Sequence, residues 1–133
     1  LLCSGPAAAR GVSLKKVATE LVTALVKGKG AGQHIMTFKE ISALTRKVKD
    51  KKKYDTAVAE WLKTMKLPKK WVVKDIEITD VVFIKGSKDG KVKKDVVMAL
   101  VKPVFTDDQA TKRWLKRLVF LQTGTGWKLS IKK

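Results

Sequence analysis

The chain has 133 residues, with 30 Lys and Arg against 12 Asp and Glu, a formal charge of +18. Apolar residues at 44% are enough for a core, which excludes a disordered basic tail. One Cys and one His exclude an intrachain disulfide, a zinc finger, a Cys-His nucleophile and any Cys/His metal cage. No apolar run reaches the ~20 residues of a membrane helix, and no cofactor is expected because no binding motif for one is present.

The first residues, Leu1-Leu2-Cys3-Ser4-Gly5-Pro6-Ala7-Ala8-Ala9-Arg10, read like the end of a secretory signal. Ala7 and Ala9 would fill the small-residue positions before a cut at Arg10. The alternatives are an organellar presequence end, a disordered tail, or lipidation at Cys3, against which the bulky Leu2 argues. Residues 1–12 are therefore set apart as a remnant or tail, and residues 13–133 as one α+β domain.

The spacing of Leu14, Val17, Ala18, Leu21, Val22 and Leu25 predicts a helix over 13–27, with Ser13 as N-cap and Gly28 just past its end. Gly28-Lys29-Gly30-Ala31-Gly32 lacks the residue order and the preceding strand of a phosphate loop, and reads as a flexible connector. A second helix is predicted over 38–48. Thr37-Phe38-Lys39-Glu40 is a capping box, Met36 and Ile41 are placed for a hydrophobic staple, and Ile41, Leu44 and Val48 make the inner stripe. A third helix, 51–66, aligns Tyr54, Val58, Trp61, Leu62 and Met65 on one face and stops before Pro68. The lysine run of residues 47–53 between these helices is either a solvated turn or a polyanion-binding knuckle.

Beyond Pro68 the period changes to two. Residues 71–85 form one bent strand or two, Asp89-Gly90 turns the chain, and residues 92–105 return. Thr106-Asp107-Asp108-Gln109 turns it again, 113–122 is a third strand, and 127–132 is the last. Short connections make neighbouring strands antiparallel. Three N-terminal helices packed on one face of a curved antiparallel sheet of about four strands is an α+β layout.

Asp75-Ile76-Glu77-Ile78, the run from Lys94 to Val101, Arg117-Leu118-Val119-Phe120-Leu121 and the closing Gly126-Trp127-Lys128-Leu129 resemble the sheet of the nuclear transport factor two-like, or cystatin-like cone, superfamily. The pattern is carried mainly by residues 71–133. The resemblance implies a sheet curled around one long helix with a cone-shaped pocket. The superfamily's usual short strand pair between the second and third helices is missing, which would make the pocket smaller or more open. Isomerase-like members use a carboxylate base with Tyr or a protonated Asp as donor. No catalytic set matches here residue by residue, so none is carried over, and a non-enzymatic role is favoured with catalysis left open.

The ligand or pocket candidates are Tyr54, Asp75, Glu77, Asp95 and Trp114. Asp75 and Glu77 share a strand face, and Asp95 in the next strand is expected to meet them, either as an acid-base group or in cross-strand ion pairs with lysines. The basic residues comprise 26 Lys and only 4 Arg, which suits diffuse attraction to polyanions better than base reading. Candidates for polyanion binding are Lys47, Lys49, Lys51, Lys52, Lys53, Lys69, Lys70, Arg113 and Arg117. Trp71, Trp114 and Trp127 lie beside basic residues and could stack on bases, although the alternation puts Trp114 and Trp127 inside.

The leading expectation is an exported (secreted or periplasmic) accessory or binding domain, with a polyanion, an acidic protein surface or a small apolar ligand as partner and a homodimer through the sheet. An RNA- or ribosome-associated basic protein, in an organelle if the start is a presequence, is the alternative. A small isomerase or lyase with a carboxylate in the pocket is the second alternative.

Overall fold

The computed structural model describes residues 5–114, 117–123 and 126–131. The elements are α1 (Gly5–Lys27), a 3-10 turn (Ala31–His34), α2 (Phe38–Leu44), α3 (Lys51–Thr64), β1 (Val73–Ile84), β2 (Val96–Phe105), α4 (Asp108–Arg113), β3 (Leu118–Thr123) and β4 (Gly126–Leu129). The chain is α+β, helices first and then a four-stranded antiparallel sheet in the order β1-β2-β3-β4.

α1 begins earlier than its apolar stripe indicates, so Ser13 is inside the helix rather than its N-cap, and Ala7 and Ala9 fall within it. Alanines are the strongest helix formers, and Pro6 is tolerated in a first turn where no amide partner is needed. The helix ends on Gly28, whose φ of 84° suits a residue without a Cβ. The amides of Gly28 and Lys29 both donate to the Ala24 carbonyl, at 2.8 and 3.2 Å. The connector that follows is ordered into the 3-10 turn and buries Ala31.

α2 starts on the predicted capping box. The Thr37 amide donates to Glu40 Oε1 at 3.0 Å, and the Glu40 amide donates to Thr37 Oγ1 at 3.2 Å. Met36 and Ile41 are both buried. The helix stops at Leu44, short of the predicted Val48, because its end joins the β1–β2 connection. Thr45 bridges Val92, the Arg46 amide donates to Lys91 O at 2.7 Å, and the Lys93 amide donates to Leu44 O at 2.7 Å. α3 is capped by Asp50, which accepts from the Lys53 amide.

β1 is a single strand, bent by irregularities between Val73 and Asp75 and between Ile78 and Asp80. β2 begins only at Val96, since residues 91–93 are engaged with α2. The turn predicted at 106–109 is the start of α4, N-capped by Asp107, so β3 begins at Leu118 rather than Arg113.

The register separates two sheet faces. Ile76, Ala99, Val101, Phe105, Leu118, Phe120, Trp127 and Leu129 share one face and are buried, and α1 packs against β1, β2 and β4 with Leu14, Ala18, Leu21, Val22 and Leu25 buried. Ile84, Val96, Met98, Leu100, Val119 and Leu121 share the other face. The chain passes between them along the β4 edge, where Ile35 bridges Leu129 and the Met36 amide donates to Leu129 O at 2.9 Å. The helices thus divide between two faces instead of sharing one.

Candidate functional site

A cavity of about 700 Å³ lies between the second sheet face and the α2–α3 pair. Ile84, Met98, Leu100, Val119 and Leu121 form its floor, and Ile41, Leu44, Tyr54 and Ala57 its wall. Lys47, Lys49, Asp50 and Lys53 stand at its rim and are exposed. No α1 residue lines it, so it is not a cone around the longest helix. The α2–α3 connection that carries the lysine run is what closes its side. A shallower depression adjoins it along α3, between Lys52, Thr56, Trp61 and Ile131.

Two hydroxyls of the wall are already engaged. The Tyr54 hydroxyl donates to Met36 O at 2.6 Å, and Thr45 Oγ1 donates to Lys91 O at 2.9 Å. Burial, helped by the negative charges of Glu40 and Asp55, pushes the Tyr54 phenol up to about 12, so it stays neutral. Beside it, burial pulls the Glu40 carboxyl upward. The amide of Thr37, the Lys128 ammonium at 3.3 Å and the Thr37 hydroxyl outweigh that and hold it below its ordinary value. Among the described residues Asp50 is the only carboxylate lining the cavity, and its Oδ1 accepts from the Lys53 amide at 3.1 Å.

The candidates from the sequence are therefore scattered. Tyr54 reaches the cavity, but its hydroxyl serves the fold. Asp75 and Glu77 are exposed on β1, and Asp75 pairs with Lys15 at 3.7 Å. Asp95 does not meet them. It lies at the opposite end of the β1–β2 hairpin, ~25–30 Å along the strand, where its Oδ1 accepts from the Gly86 amide at 2.9 Å. Antiparallel pairing causes this separation, because the start of β1 faces the end of β2. Among the described residues no group of acidic, His or Cys side chains could hold a metal.

Trp114 is buried against Phe105, ring centroids 6.1 Å apart, and its Nε1 has no acceptor among the described residues. Trp127 is buried too, and Trp71 packs on Phe105 at 5.1 Å, so Trp114 and Trp127 are withdrawn from stacking on bases. Of the basic candidates, Lys47, Lys49 and Lys53 surround the cavity mouth and Lys52 lies beside it on α3. Lys51 is held by Asp55 at 2.6 Å. Lys69, Lys70, Arg113 and Arg117 are exposed and none of them lines the cavity; Lys70 and Arg113 adjoin Trp71 and Trp114 in the chain.

Arg46 is the residue the sequence reading missed. Its Nη1 donates to Ser87 O at 2.8 Å and to Gly90 O at 2.7 Å, fastening the hairpin turn to the end of α2. Its scarcity among 26 lysines was the available signal, since two carbonyls close together call for a planar multi-donor group.

Compared with protein-family models, with curated proteins and with solved structures, the chain has no significant match.

Proposed function

We propose that the chain is a non-enzymatic binding domain whose cavity takes a small apolar ligand while its lysine surface keeps it near polyanions. The observation that carries this is the cavity itself. Its volume lies within the ~300–1,000 Å³ of ligand sites, and its lining is mostly aliphatic. The polar wall groups with hydrogen bonds of their own, Thr45 and Tyr54, leave little reason for water to prefer it. The scattering of Asp75, Glu77 and Asp95 weakens the isomerase or lyase reading. Burial of Trp114 and Trp127 weakens RNA binding by stacking. A helix-walled pocket on an antiparallel sheet is also what a relation to the nuclear transport factor two-like superfamily would provide.

The test uses a neutral solvatochromic dye. Its emission is expected to shift on titration with the full chain, and Ala57→Phe, which fills the wall from α3, is expected to abolish the shift while circular dichroism stays unchanged. Val81 and Phe83, 57% and 63% exposed on β1, offer the competing apolar surface. A dye response kept by Ala57→Phe and lost in Phe83→Ser would refute the cavity reading.

A further inference from the structure

We infer that the ligand is a single-chain anionic amphiphile, a long-chain carboxylate, with its alkyl chain in the cavity and its head among Lys47, Lys49 and Lys53. This rests on the cavity reading above and adds the chemistry of the head group. A ligand with an aliphatic chain among Ile84, Met98, Leu100, Val119 and Leu121 places a charged end at the mouth, because the Thr45 and Tyr54 hydroxyls are spent on backbone carbonyls and the other lining hydroxyl, that of Ser130, carries no charge to meet it.

At that mouth stand three lysines and one aspartate. Lys47, Lys49 and Lys53 are exposed and take part in no ion pair among the described residues. The Asp50 carboxylate is turned to its own helix amide.

The second observation is a local rule broken. Lys51, Lys52 and Lys53 fill the first turn of α3, and that turn holds no acidic residue. A helix N-terminus carries partial positive charge, which favours anions and disfavours cations. Only Lys51 is compensated, by Asp55 at 2.6 Å. Even with the Asp50 carboxylate at the cap, two further ammonium groups remain at the start of this 14-residue helix, beside two more on the approach to it. Local rules are broken in this way at functional or strained sites. A carboxylate head at the mouth would answer the rim lysines, while the helix end itself is met by the Asp50 cap.

The experiment titrates the full chain, by calorimetry below micellar concentrations, with laurate, dodecanol and dodecyltrimethylammonium. Laurate is expected to bind at least about tenfold tighter than dodecanol, a difference of ~1.4 kcal/mol. The trimethylammonium compound is expected to bind weakest, and added salt to narrow the gap. The triple variant Lys47→Gln, Lys49→Gln, Lys53→Gln should bring laurate to the dodecanol affinity and leave dodecanol unchanged, whereas Lys69→Gln with Lys70→Gln should leave the laurate preference intact. Equal binding of laurate and dodecanol by the wild-type chain overturns the inference and leaves the cavity reading standing. Binding of none of the three overturns both. A laurate preference that survives the triple variant but fades with salt also overturns it, because the net charge alone would then be responsible.

Discussion

Tyr54 is the one tyrosine of the chain, so its ionisation can be followed without overlap by phenolate absorbance. Burial and the nearby Glu40 and Asp55 charges raise its folded value to about 12, against an ordinary value of 10.0. A raised folded value means that this contribution is complete below about 10 and is lost as pH rises towards about 12. Absorbance is expected to place the folded transition near 12, and a midpoint at 10 would show the hydroxyl to be solvated. Tyr54→Phe removes the donor to Met36 O and should cost ~1–3 kcal/mol in urea unfolding, because the carbonyl is left buried and unpaired. Glu40 works in the opposite sense. Its lowered value gives stability that is present above the ordinary carboxylate range and lost as pH falls through the folded value. The stability deficit of Glu40→Gln should therefore be largest near neutrality and shrink in acid. A deficit independent of pH would mean that only its hydrogen bonds count. The capping box was legible because both partners lie within four residues. The Lys128 contact, 88 positions away, was not, since nothing local records it.

The end of α2 shows how an element boundary can be set from outside the element. Its apolar spacing runs on to Val48, yet Thr45 and Arg46 leave the helix for partners at residues 87–93. Hydrogen bonds to the hairpin replace the helical ones, an exchange that depends on tertiary placement and leaves no periodic trace in the sequence. For the same reason the strand predicted from Val92 starts at Val96. The alternation was sound in β2, β3 and β4, as the burial of Ala99, Val101 and Phe105 and of Phe120, Trp127 and Leu129 shows. In β1 the expectation that Ile76, Ile78, Val82 and Ile84 share a face fails, because the irregularity between Ile78 and Asp80 sends Val82 and Ile84 to the other one. What alternation cannot give is which helix covers which face, and hence which residues line the cavity. Two substitutions test this junction. Arg46→Ala should cost roughly 2–3 kcal/mol, since two carbonyls lose a charged donor. Gly86→Ala should cost roughly 1–3 kcal/mol, because a Cβ there would lie 2.5 Å from the Lys94 backbone and would push Asp95 off the Gly86 amide. Both are read as shifts of the urea midpoint at unchanged slope, and a neutral Gly86→Ala would mean that the hairpin opens there without loss.

At the scale of the whole molecule the charge dominates. A formal +18 on 133 residues, with three ion pairs among the described residues, leaves most of the described lysines without a carboxylate partner. Such a charge works against compactness, and the repulsion is relieved when the unfolded chain expands. Salt screens it over ~10 Å at 0.1 M, a distance comparable to the spacing of lysines along the 47–53 run. The thermal midpoint should therefore rise with sodium chloride, most steeply at low ionic strength. The opposite response is the usual one for a fold held by surface ion pairs, which salt weakens. The triple variant Lys47→Gln, Lys49→Gln, Lys53→Gln separates local from global repulsion. If the crowding of ammonium groups at the start of α3 is the main strain, that variant should be more stable than the wild-type chain at low salt and lose its advantage as salt rises. Removing three charges from the distant Lys69, Lys70 and Arg113 should then give a smaller gain. Equal gains from the two variants would assign the strain to net charge, and the cavity mouth would hold no special share of it.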